Sequence, residues 1–65
     1  MTRTTPTDFE INQDRAKLAK ARKADWIGGV PTSRDLLAID RQIAHERGMT
    51  LAEVQAVPSM LVAVD

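Results

Sequence analysis

Apolar positions in the middle of this chain fall into helical spacing, and a later block of five is too short to show a period. Leu36, Ile39 and Ile43 follow i, i+3, i+7, with Leu37 and Ala44 beside them. That period puts them on one face of a helix. Thr32 or Ser33 can begin this helix and Gly48 can end it, with Arg47 in its last turn. Upstream, Ala16 to Lys23 is a run of strong helix formers. Thr7 or Asp8 can cap that helix, Glu10 suits its positive end, and Gly28-Gly29 stops it after about Asp25. Downstream, Thr50-Leu51-Ala52-Glu53 is a capping box, with Met49 and Val54 placed as a hydrophobic staple. The helix it opens is short, because Pro58 disfavours helical backbone at Val57.

The pattern therefore predicts an all-α chain of two longer helices and a short capped third, in a helix-loop-helix arrangement. The helices are expected over about 8–25, 33–47 and 51–57. A disordered N-terminal tail covers 1–7, and 8–65 form a single small domain ending in an apolar tail over 58–65. Within that tail, Met60 to Val64 is an uncharged apolar block. Five residues fit a helical turn or a strand equally well. Burying Leu61, Val62 and Val64 is worth ~1.5–3 kcal/mol each, so the block is expected to dock, on this chain or on another protein.

Composition sharpens that expectation. Nine of the apolar residues are alanine, so few large side chains remain to build a core. A 65-residue domain of this kind is marginal unless a partner adds surface. It has no cysteine, which removes disulfides and thiolate metal sites as sources of stability. Nine basic residues balance nine acidic ones, so no net field steers the chain toward nucleic acid or an anionic membrane.

Candidate chemistry is sparse. Arg15, Lys17, Lys20, Arg22 and Lys23 put five cations into nine residues and cover most of the first helix, leaving a thin stripe of Ile11, Leu18 and Ala21. They are either a solvated face or a contact to phosphate or an acidic partner, and Asp8, Glu10, Asp14 and Asp25 bracket them. On the second helix, Asp40 and Arg47 lie within about 20° of each other inside the apolar arc of Leu36 and Ile43. Two turns apart, they are too distant for an i, i+4 bridge. Either that face is half buried, or it meets a partner that supplies a counter-charge. His45 lies on the opposite side, and no second histidine completes a metal site, so no metal or cofactor is expected. Gly28 to Ser33 precedes a helix but lacks the lysine of a phosphate loop, so it reads as a turn, with Trp26 as its anchor.

Residues 36–57, including Glu46-Arg47-Gly48-Met49-Thr50-Leu51-Ala52-Glu53-Val54, resemble the first two helices of repressor-type helix-turn-helix domains. That resemblance implies a third helix in the DNA major groove. Here residues 58–65 offer no Arg, Lys, Gln or Asn to a base edge. The same stretch is similar to short segments of phage tail-assembly chaperones, which are small helical proteins.

The resulting expectation is a non-catalytic helical interaction protein, an accessory or assembly subunit of a larger bacterial or phage complex. Its alternative is a helix-turn-helix-like DNA-binding regulator using Arg15 to Lys23 on phosphates. An enzyme is not expected, for want of convergent titratable groups. The expected interface is Trp26, Ile27, Leu36, Asp40, Ile43, Arg47, Met60, Leu61, Val62 and Val64, facing a larger complex or a second copy. No membrane partner or small-molecule substrate is expected. Six arginines to three lysines fit a GC-rich bacterial or phage genome, and the absence of a signal-like apolar stretch suggests a cytoplasmic site or an assembly built there.

Overall fold

The computed structural model describes residues 6–64, so most of the tail expected over 1–7 lies outside the described residues. Three α-helices follow in order: α1 (Asp8–Arg22), α2 (Ser33–Arg47) and α3 (Leu51–Gln55). Each begins at a threonine. The Thr7 hydroxyl accepts from the Glu10 N–H at 3.2 Å. Thr32 and Asp35 form a reciprocal capping box, as do Thr50 and Glu53. These caps satisfy backbone donors that a helix start leaves without partners. The α2 end is equally specified. Gly48 is left-handed at φ 65°, and the Met49 N–H donates to the Ala44 carbonyl at 2.8 Å. That bond and the one from Gly48 N–H to His45 make a Schellman closure, which turns the chain straight into α3.

Two boundaries differ from expectation. The first helix keeps α geometry only to Arg22, then tightens into a 3-10 turn over Lys23–Asp25. Tightening lets the chain turn early, before the glycines, and the Trp26 N–H closes on the Lys23 carbonyl at 3.1 Å. The third helix stops at Gln55 rather than 57. Residues 58–64 form neither helix nor strand.

All three helices contribute to one small core: Ile11 and Ala19 from α1, Ile39, Ile43 and Ala44 from α2, and Val54 from α3. Leu18, Trp26, Leu36, Met49, Val57 and Leu61 pack around it, partly buried. Ala21, expected in the inward stripe of α1, is exposed. The stripe instead runs through Ile11, Arg15 and Ala19, one turn apart, and so includes a charge.

Arg15 is only 2% exposed. Its Nε donates to Asp40 Oδ1 at 2.9 Å, and Nη1 donates to Asn12 Oδ1 at 3.0 Å. The same guanidinium reaches the carbonyls of Val54 (2.9 Å), Val57 (2.9 Å) and Pro58 (3.2 Å). Those carbonyls are at or just beyond the end of α3, where a cation complements the helix dipole. A five-residue helix is too short to persist alone. This one is held by its capping box at one end and by Arg15 at the other. Asn12 adds a bond to the Pro58 carbonyl at 3.0 Å. No buried side-chain nitrogen or oxygen among the described residues lacks a partner.

Candidate functional site

The connection between α1 and α2 sets up an open apolar surface. Trp26 is extended (φ −92°, ψ 137°), whereas Gly28 and Gly29 both have positive φ, at 67° and 71°. Two consecutive left-handed residues are a conformation that glycine adopts without penalty. The reversal separates two neighbours. Trp26 turns back against the core, and Ile27 points outward, 94% exposed. Val30 and the Thr32 cap are again extended.

The C-terminal segment returns to this turn. After Pro58 it runs alongside the core with alternating exposure: Leu61 and Ala63 are partly covered, whereas Met60, Val62 and Val64 are exposed. Alternation is what an extended chain produces when one side is covered. The Val64 N–H donates to the Pro31 carbonyl at 3.0 Å and ties the segment to the start of α2. Between turn and tail lies a concavity of about 480 Å³ lined by Asp25, Trp26, Ile27, Val30, Thr32, Asp35 and Val64. Its walls are apolar and its polar groups include two carboxylates. Asp35 uses Oδ2 for both the Thr32 N–H and the Thr32 hydroxyl. Asp25 is exposed and makes no ion pair among the described residues.

Of the residues expected at an interface, the structure gathers Trp26, Ile27 and Val64 around this concavity, with Met60 and Val62 exposed along the tail. Leu61 packs on the core, as does half-buried Leu36, and Ile43 is fully buried. Asp40 and Arg47 face α1. Asp40 is held by Arg15, and Arg47 is bonded to Asp14 with Glu10 at 3.7 Å. The counter-charge their position demanded comes from within the chain. The Asp14 hydrogen bond, more than the surrounding carboxylates, raises the Arg47 pKa above its ordinary value.

The expected cationic face of α1 also divides. Arg15 is interior and inaccessible to phosphate, which corrects its reading as a surface cation. Arg22 donates to Gln42 Oε1 of α2 at 2.6 Å. Lys17, Lys20 and Lys23 are exposed. The sequence pattern does not mark Asp25, Val30, Thr32 and Asp35 as lining residues. Only the tail's return to Pro31 makes them so, and no local pattern announces a contact between residues so far apart in the chain.

Among the described residues, no group of histidine and carboxylate side chains could hold a metal ion, and no helix is long and apolar enough to cross a membrane. His45 is exposed on α2. No family model, curated protein or solved structure matches this chain.

Proposed function

We propose that this chain is a non-catalytic protein-protein interaction module, an accessory or assembly subunit that docks through its turn-and-tail face. One observation carries the reading. Of the six large hydrophobics that are exposed among the described residues, five lie on the turn or the tail: Ile27, Val30, Met60, Val62 and Val64. Monomers rarely leave contiguous apolar patches larger than a few hundred Å² open, and larger ones mark contact sites. A 65-residue chain with a core of six buried apolar residues can ill spare such side chains from its interior. Their exposure is understandable if another protein covers them. A bacterial or phage complex built in the cytoplasm remains the setting we propose, on composition alone.

The DNA-binding alternative draws less support. It loses Arg15 to the interior, and the described chain beyond α3 supplies an apolar segment that is not helical where that family carries its recognition helix. Catalysis likewise draws little support from the concavity, whose Thr32 hydroxyl and Asp35 carboxylate are engaged with each other.

Site-specific photo-crosslinking in the cells that make the chain tests the proposal. A benzoylphenylalanine placed at Ile27 or Val62 should trap discrete protein adducts, whereas one at exposed Gln13 on the outer face of α1 should trap none. Equal labelling from all three positions, or none from any, would count against a docking face at the turn and tail.

A further inference from the structure

We propose that the concavity between turn and tail receives a basic side chain, arginine or lysine, carried on an apolar segment of another protein. This deepens the docking role proposed above and rests on it. The walls come from Trp26, Ile27, Val30 and Val64, a lining suited to the aliphatic stem of a long side chain. Two carboxylates border the same space. Asp25 has no ion-pair partner among the described residues, and Asp35 spends only Oδ2 on its cap, leaving Oδ1 to accept from outside. Trp26 is also a lining residue, and an indole attracts a guanidinium or ammonium group placed over its face. At about 480 Å³ the space exceeds what one methyl-bearing side chain needs and suits a long one with its flanking residue.

Charge decides between occupants. An acidic segment would meet two carboxylates and be repelled, whereas a purely apolar one would bury their open acceptors without partners. A basic residue on an apolar segment satisfies both parts. Lys23 and Arg34, exposed cations close to these residues in sequence, are not among the residues that line the concavity. A second copy would bring its own Asp25 and Asp35 against these carboxylates if the two met face to face.

The chain provides its own reporter, since Trp26 is the single tryptophan in this sequence. The probes are three blocked dipeptide amides, leucine-arginine, leucine-glutamine and leucine-glutamate, titrated while Trp26 emission and backbone amide NMR shifts are followed. The expected result is binding in the order arginine, glutamine, glutamate, with shifts at Asp25 to Val30, Thr32, Asp35 and Val64. Asp25→Asn should weaken the arginine probe about three- to fivefold, the scale of one solvent-exposed ion pair, and leave the glutamine probe unchanged. Raising salt should erase that difference. If Ile27→Ser weakens all three probes while Asp25→Asn weakens none, the face docks apolar segments without charge preference; the basic-residue proposal then fails and the docking role stands. Absence of binding by any probe overturns the proposal as well, leaving the crosslinking experiment to judge the docking role. Sedimentation of the free chain covers the remaining occupant: a dimer that Ile27→Ser dissolves would make it a second copy and overturn the assignment to another protein.

Discussion

The two ends of this small bundle invert the usual distribution of side chains. Where α1, α2 and α3 meet, charged groups turn inward: Arg15 is almost fully buried, Asp40 meets it from α2, and partly exposed Arg47 meets Asp14 from the end of α2. At the turn and tail, apolar groups lie outside, with Met60 at 88% and Val62 at 78% exposure. The first arrangement is stable because, among the described residues, every buried side-chain donor and acceptor has a partner. The second has no such internal account, since exposed Ile27 and Val62 contribute little to folding. The polar end therefore holds the fold, and the apolar end is available for contact.

Removing Arg15 should have the largest effect on this contrast. Arg15→Met retains apolar bulk but strips Asp40 of its partner and leaves the carbonyls of Val54, Val57 and Pro58 to find others. Breaking one side of a buried pair costs ~3–5 kcal/mol, comparable to the whole stability expected of a domain this size. The variant should lose its helical circular dichroism at room temperature. Pairing it with Asp40→Leu should restore part of the loss, because the uncompensated charge goes too. A single variant that melts like the parent would mean that the buried charge is not what secures α3.

Next in size is Gly48→Ala. A Cβ there would meet no atom within 4 Å, so only the left-handed backbone opposes it. That cost is ~1–2 kcal/mol, read as a lowered midpoint in urea. Thr50→Ala removes the hydroxyl that accepts from Glu53 N–H at 3.1 Å and should cost ~1 kcal/mol. Since α3 is held at both ends, this change should also loosen the Arg15 contacts. Hydrogen exchange at Val54 to Val57 should therefore accelerate more than exchange in α2.

These expectations show which features were legible in the sequence. The threonine caps, the glycine stop and the α2 face are local, each written within four or five residues, and the structure forms them where their residues stand. Arg15 was misread because helical periodicity sorts side chains by polarity, and a charge is assigned outward by default. The signal was present in a different form. Ile11, Arg15 and Ala19 recur at intervals of four, and Asp40 interrupts the facing stripe of α2. An acid on one apolar face and a base on another are a pair waiting for the helices to be brought together. The concavity was less legible still, because it depends on the Val64 to Pro31 contact, and nothing local encodes which segment a chain end returns to.

Arg47 separates the two ends in a graded way. Its bond to Asp14 is partly exposed, so Arg47→Met, which keeps the stem, should cost only ~0.2–1 kcal/mol and less in high salt. Its pH behaviour follows from the raised pKa. A cation whose folded pKa lies above its unfolded one contributes fully below the unfolded value and loses that contribution as pH rises through the folded value. For an arginine that window lies in strong alkali. Melting curves of parent and variant should therefore stay a constant distance apart from neutral pH to mild alkali, and a gap that closes there would point to a different group.

The smallest expected change in stability belongs to the apolar end, and it is the sharpest test of the contrast. Ile27→Ser and Val62→Ser replace side chains that are almost entirely in water, so neither leaves a cavity nor strips a buried partner. Surface changes away from such features usually stay within ~0.5 kcal/mol, and both variants should melt with the parent. Solubility should move in the opposite direction to what folding alone suggests. The outward ridge of Met60, Val62 and Val64 lies on an extended segment, a hazard for strand pairing between chains that a serine at its centre interrupts. Light scattering on concentrated samples should therefore fall for Val62→Ser at unchanged thermal midpoint. A midpoint lowered as far as that of Thr50→Ala would show the tail to be part of the core, and would remove the physical reason for reading its outer ridge as a contact surface.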